Sequence, residues 1–258
     1  MKLFFVRSFI DNYIWILEHH KVCVIVDPGQ SEKVLNFLEK KGFFPTAILI
    51  THHHYDHTGG ILNIKRKYPR VDVFAPKEVL SKEVTFFITE KINRVEFSFF
   101  SFKVFHAPGH TKGHLLYYQK PYLFCGDTFF SGGCGKIFEG TSYQMYQSIL
   151  LIESLPSDTL ICCAHEYTVK NLSFASTLLP KDKYINQYLD ISRKKTSILL
   201  PTVPSTLSIE KKINIFLRCD DEIVKNSPKI YDIKDKKYET KKEKYKIFSR
   251  IRKMRDLF

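Results

Sequence analysis

The amino-acid sequence predicts an α+β fold, sheets covered by helices, with an all-helical segment behind it. Three observations carry this. Up to about residue 168 the chain repeats one unit, a short β-branched or aromatic run followed by a turn and then a polar residue. Segments with apolar residues at helical spacing separate several of these runs, and behind Tyr167 that spacing continues while the strand signal fades. At 258 residues, 44% hydrophobic and 26% charged, the chain can bury a core without staples, which excludes the disordered and fibrous classes.

Lys2 and Arg7 bracket only four apolar residues, too few for a signal-peptide core, and alternation resumes over residues 13–17, so the chain is expected to open on a strand. Further strands are predicted at Val22-Cys23-Val24-Ile25-Val26 before Asp27-Pro28-Gly29, and at Ala47-Ile48-Leu49-Ile50-Thr51 before His52. Three more are Lys103-Val104-Phe105-His106 before Ala107-Pro108-Gly109-His110, Tyr122-Leu123-Phe124-Cys125 before Gly126-Asp127, and Leu160-Ile161-Cys162-Cys163 before His165. The polar residues therefore fall at strand ends. Helices are predicted over 31–41, 58–68 and 142–155, then over 171–179, 184–195 and, after Pro201 and Pro204, 207–216. This places a domain change near residue 168, with a catalytic domain over 1–168 and a helical domain over 169–258.

No apolar run approaches the roughly 18 to 20 residues that cross a bilayer. Six cysteines without a Cys-x-x-Cys pair point to a reducing compartment, the cytoplasm, and adjacent Cys162 and Cys163 read as core packing. The net charge of +13 invites a nucleic-acid reading, but residues 229–258 alone hold twelve Lys or Arg and five Asp or Glu, so +7 of the excess is local. A solvated helix face or a pocket for a small anion explains that equally well.

Thr51-His52-His53-His54-Tyr55-Asp56-His57-Thr58-Gly59-Gly60 packs four imidazoles and a carboxylate into six positions between a strand and a helix. These are the ligands that Zn, Fe and Mn take at catalytic sites, and His52, His54, Asp56 and His57 can turn to a common centre with His53 facing away. His110, Asp127 and His165 stand at later strand ends. Seven ligands exceed one tetrahedral ion and suit two ions sharing a carboxylate. No Gly-x-Ser-x-Gly elbow occurs, and Gly132-Gly133-Cys134-Gly135-Lys136 lacks the spacing of a phosphate loop.

The His52-x-His54-x-Asp56-His57 motif followed by His110, Asp127 and His165 resembles the metallo-β-lactamase superfamily, which implies an αββα sandwich of two mixed sheets with helices outside. With Gly126-Asp127-Thr128, Gly133-Cys134-Gly135-Lys136, Phe138-Glu139-Gly140-Thr141, His165-Glu166-Tyr167-Thr168 and Pro201-Thr202-Val203-Pro204-Ser205-Thr206, the chain is similar to the glyoxalase II (hydroxyacylglutathione hydrolase) family. The resemblance runs from about residue 12 to the C-terminus.

It implies one metal on His52, His54 and His110, a second on Asp56, His57 and His165, and Asp127 bridging, with Zn the first choice and Fe or Mn the alternatives. It also implies hydrolysis of S-D-lactoylglutathione to D-lactate and glutathione, a step of methylglyoxal detoxification. Asp56 and Asp127 would serve the attacking water, and Lys136, Tyr167, Arg252 and Arg255 would grip glutathione. Arg252 and Arg255, three apart on one helix face, suit the carboxylates of an anionic tripeptide. A small-molecule thioester, no nucleic acid, no membrane and a monomer are the partner expectations; a persulfide dioxygenase or a nuclease of the superfamily is the alternative. Three departures from the family pattern stand out: Phe138 where Tyr is usual, Arg255 where Lys is common, and Gly109 where Cys often precedes the ligand histidine.

Overall fold

Short apolar runs become two sheets because each strand has both faces to bury. The computed structural model describes residues 1–227, 230 and 241–258, with side chains from residue 244 in the last segment; the Lys-rich stretch at 234–246 lies largely outside the described residues. Two units are distinguishable. The first comprises Met1–Ala107, Gly113–Gly126 and Cys162–His165, the second Pro108–Lys112, Asp127–Ile161 and Glu166–Phe258.

In the first unit one sheet runs in chain order, β1 (Lys2–Ser8), β2 (Asn12–His19), β3 (Val22–Val26), β4 (Phe44–Leu49), β5 (Asp72–Pro76) and β6 (Phe86–Ile88). The first three strands are antiparallel neighbours and β3 to β6 pair parallel. Two of the three parallel crossovers run through helices: α1 (Glu32–Lys41) joins β3 to β4, and α2 (Tyr55–Thr58) with α3 (Ile61–Lys67) joins β4 to β5. Outward-facing Ile14, Ile16, Ile25, Ile48 and Val73 pack with Val34 and Leu38 of α1 and Ile61 and Ile64 of α3. The alternate residues face a second sheet of β7 (Arg94–Phe97), β8 (Phe100–His106), β9 (Leu115–Gln119), β10 (Tyr122–Gly126) and the end of β13 (Leu160–Cys163). Phe74 stacks on Phe97 at 5.2 Å, Trp15 Nε1–H donates to the Cys163 carbonyl at 2.9 Å, and Tyr117 Oη–H donates to the Ile50 carbonyl at 2.9 Å. This double coverage explains the near-continuous apolar strands.

The helix expected over 58–68 begins earlier, at Tyr55, and is interrupted at Gly59-Gly60. A Cβ on Gly60 would lie 2.5 Å from the Pro28 carbonyl oxygen, so the 27–30 turn approaches too closely for any side chain there.

The second unit holds a small hairpin, β11 (Phe129–Phe130) with β12 (Gly133–Cys134), then α4 (Ser142–Glu153), α5 (Thr168–Leu178), α6 (Lys183–Ser197), β14 (Ser205–Thr206), α7 (Leu207–Ile213), α8 (Glu222–Lys225) and α9 (Lys241–Leu257). A Thr141/Gln144 capping box starts α4, Asp182 caps α6 and Thr206 caps α7. Among the described residues after 168 the regular elements are helices and the short strand β14, which pairs with Leu160 and Ile161 of β13. All six cysteines are buried thiols outside any disulfide. Among the described residues no helix is long and apolar enough to cross a membrane.

Candidate metal centre

Asp27 ends β3 in a left-handed conformation, φ 52°, that a β-carbon disfavours, and three hydrogen bonds repay that strain. Its carboxylate accepts from Thr51 N–H at 2.8 Å, Thr51 Oγ1–H at 2.7 Å and His57 Nδ1–H at 3.0 Å. Because the Thr51 hydroxyl spends its proton on Asp27, its oxygen is left to accept from His52 Nδ1 at 3.0 Å. One buried carboxylate thus sets the tautomer of two histidines, directing the Nε2 lone pair of each away from the strand.

His165 is oriented in the same manner from the other sheet. Its Nδ1–H donates to Asp11 at 2.8 Å, and Asn12, which bridges to His165 along the backbone, donates from Nδ2 to Asp56 at 2.9 Å. The result is a group in which ligand atoms of Asp56, His57 and His165 lie within 4.8 Å of one another. His57 Nε2 stands 3.4 Å and His165 Nε2 3.3 Å from Asp56 Oδ2. Two ligands about 2.0–2.1 Å from a tetrahedral ion are about 3.3–3.4 Å apart, so these spacings fit a divalent metal. The lone pairs also fit: with both Nδ1 protons committed to carboxylates, three electron-pair donors face one another. Burial opposes the charge on Asp56, but in the metal-free state, where a proton can stand on Nε2 in place of a metal, hydrogen bonds from His165 and His57, the His57 charge and a hydrogen bond from Asn12 hold its carboxyl well below the usual range, so it is an anion.

His52 Nε2 and His54 Nδ1 meet at 3.0 Å in the same unit. His53 turns elsewhere, its Nδ1 3.2 Å from Glu78. His114 stacks on His52 at 4.9 Å.

In the second unit, His110 Nδ1–H donates to the Lys136 carbonyl at 2.8 Å, and its Nε2 lies 3.5 Å from Asp127 Oδ2. The backbone at 109–110 is laced to 138–140 by N–H donors from Phe138, Glu139 and Gly140. Gly109 leaves no room for the cysteine frequent in the resembling family, since a Cβ there would come within 2.8 Å of Met145 Cα. The exposed Phe138 ring meets His110 edge-on at 5.2 Å, and Lys136 Nζ sits 5.4 Å above the same ring. Tyr167 packs edge-on against Phe130 at 5.0 Å.

Arg252 and Arg255 both lie on α9. Arg252 is buried, donating from Nη1 to the Cys134 carbonyl at 2.7 Å and from Nη2 to Asp256 at 3.0 Å. Half-buried Arg255 donates to Asn171 Oδ1 at 3.2 Å from Nη2, and burial together with the Arg252 charge lowers its pKa from the ordinary value.

Asp11, Asn12 and Asp27 are absent from the sequence-derived site. The Asp-Pro-Gly turn closing an apolar strand is a signal for Asp27; nothing local marks Asp11 or Asn12.

Residues 8–165 match the family model described as "Metallo-beta-lactamase superfamily", and 166–258 match "Hydroxyacylglutathione hydrolase C-terminus". A hydroxyacylglutathione hydrolase of Photorhabdus laumondii is 50% identical over 222 residues, 86% of this chain and 88% of that one. One of Pectobacterium atrosepticum is 45% identical over the full length of both. Among solved structures, the BLEG-1 B3 metallo-beta-lactamase superposes with a TM-score of 0.60 at 25% identity, over 64% of this chain and 91% of its own. The two family-model matches, the two-sheet architecture and the full-length likeness agree: the chain belongs to the hydroxyacylglutathione hydrolase family of the metallo-β-lactamase superfamily.

Proposed function

We propose that this protein hydrolyses S-(2-hydroxyacyl)glutathione, S-D-lactoylglutathione first, to glutathione and the hydroxy acid. The carrying observation is the Asp56, His57 and His165 group, whose ring tautomers are set by Asp27 and Asp11. The match of 166–258 to a hydroxyacylglutathione hydrolase C-terminus favours the thioester over the dioxygenase and nuclease alternatives. In this reading residues 1–168 form the catalytic domain and 169–258 the substrate-binding domain, and the chain acts as a cytoplasmic monomer.

His52, His54 and His110 would hold one metal and Asp56, His57 and His165 the other, with Asp127 shared; Zn is the first choice, Fe or Mn the alternatives. Bound divalent ions supply Lewis acidity, lowering the pKa of water toward neutrality and stabilising charge that develops on the thioester oxygen. Asp56, an anion at neutral pH, orients the attacking water. Asp11, Asn12 and Asp27 keep the imidazoles from turning as the carbonyl approaches. Lys136, Arg252 and Arg255 offer positive charge, and Tyr167 a hydroxyl, to the tripeptide carboxylates. Water adds to the thioester carbon, the C–S bond breaks, and the thiolate leaves without a dedicated general acid because its parent thiol has a pKa near 8.5.

The test is hydrolysis of S-D-lactoylglutathione followed at the thioester absorbance, with and without chelator, beside Asp127→Asn. Turnover that is lost on chelation, recovers on adding zinc and falls by at least about a hundredfold in the variant is expected. A zinc-loaded chain without turnover overturns the substrate assignment.

A further inference from the structure

Within the second unit, the loop over residues 130–136 has its backbone held by side chains from three helices. Glu210 of α7 is fully buried and accepts from Ser131 Oγ–H at 2.7 Å, Gly132 N–H at 2.8 Å and Ser205 Oγ–H at 2.5 Å. Asn214, one turn on, donates from Nδ2 to the carbonyls of Phe130 at 3.2 Å and Gly133 at 3.0 Å. Asn171 of α5 donates to the Ser131 carbonyl at 3.1 Å, and Arg252 of α9 donates to the carbonyls of Cys134 and Gly135. The loop delivers the next carbonyl, that of Lys136, to His110 Nδ1. Its start is equally constrained: Gly135 N–H returns to the Thr128 carbonyl at 3.2 Å, and a Cβ on Gly135 would overlap the Asp127 carbonyl.

We propose that Glu210 is a positioning residue for the hydrolysis, fixing the 130–136 loop and through it the His110 ring, Asp127 and the Lys136 side chain, while touching neither substrate nor metal. The inference rests on the metal-dependent hydrolysis proposed above. Charge matters as well as shape. The site around Glu210 presents hydroxyls, a backbone N–H and an amide N–H₂, all able to donate, and an acceptor-only carboxylate satisfies them together. In Glu210→Gln the new amide N–H₂ opposes at least one of those donors, so the loop loosens without opening a cavity. Asn214→Ser releases two loop carbonyls and withdraws one donor from Glu210 while keeping the carboxylate and its three other hydrogen bonds. Arg218→Lys is the control, because the guanidinium of Arg218 is spent on Asp182, Asp221 and the Lys212 carbonyl, away from the loop.

The measurement is zinc titration of the metal-free full-length chain against a competing chromophoric chelator, with circular dichroism and Tm recorded on each sample. Folded Glu210→Gln and Asn214→Ser are expected to bind zinc about tenfold more weakly than wild type, with kcat reduced and KM raised, whereas Arg218→Lys loses Tm with wild-type zinc affinity. Should Glu210→Gln not fold, Asn214→Ser carries the same expectation. Wild-type zinc binding in variants whose Tm loss matches that of Arg218→Lys overturns the proposal and leaves the function standing. A wild-type chain that takes up no zinc overturns the function and this inference with it.

Discussion

The candidate ligand histidines His57 and His165 of the first unit are held by carboxylates, His110 of the second by backbone. His57 and His165 each give their Nδ1 proton to an aspartate, Asp27 or Asp11, reached from a neighbouring strand end. His110 gives its proton to a carbonyl on a loop that is itself held by α5, α7 and α9. A carboxylate orients its histidine directly and adds negative charge beside a metal; a carbonyl orients only as well as its loop is fixed. The first arrangement is sensitive to single residues next to the ligands, the second to residues far from them.

The largest effect expected from breaking this contrast is in Asp27→Ala. It frees His57, releases the Thr51 hydroxyl that holds His52, and strands a buried N–H, so metal affinity falls about a hundredfold and stability by about 1–3 kcal/mol, read by zinc titration and chemical denaturation. Asp11→Ala removes a carboxylate that is itself a third exposed, so water can take its place at His165 Nδ1, and costs about tenfold or less in the same titration. A loss equal to that of Asp27→Ala would show that charge, not orientation, is what the aspartates supply.

Phe138→Tyr sharpens the second half of the comparison. The ring is exposed beside Lys136 and His110, and a restored hydroxyl adds a substrate contact without altering the loop, so KM is expected to fall about fivefold with kcat unchanged. A change in kcat would place the ring in His110 positioning instead. The smallest effect is at Asp220, whose carboxyl is held below its ordinary 3.8 by its hydrogen bond to Lys244 of α9. A depressed folded-state pKa contributes stability that is complete above the ordinary value and is lost as pH falls through the folded one. Asp220→Asn should therefore lower Tm slightly at neutral pH, by the equivalent of under about 1 kcal/mol, and converge with wild type in acid.

Elements flanked by turn residues were legible in the sequence: β2, β3, β10, β13, α1 and α4 lie where periodicity and Gly or Pro punctuation place them. β5, β6, β7 and β9 were not singled out, because no turn followed by a polar candidate marks them and their pairing is decided by neighbours. The unbroken helix over 58–68 fails at Gly59-Gly60 for a similar reason, since the 27–30 turn that displaces it is remote in the chain. Arg252 and Arg255 were legible as a pair on one helix face suited to anionic carboxylates; the bonds of the Arg252 guanidinium to Cys134, Gly135 and Asp256 were not.

The sequence by itself determined the chemistry of the donor set and the architecture that presents it. Both are local: a ligand is a residue type at the end of an apolar run, and a strand or helix is a short-range period. Only the tertiary structure decided which groups hold those candidate ligands still. Asp27 and His57 are 30 residues apart, Ser131 and Glu210 79, and Asp11 and His165 154. No period or spacing links such pairs, because a hydrogen bond between side chains depends on where packing brings two chain segments, and a single Asp or Glu carries no mark of its partner.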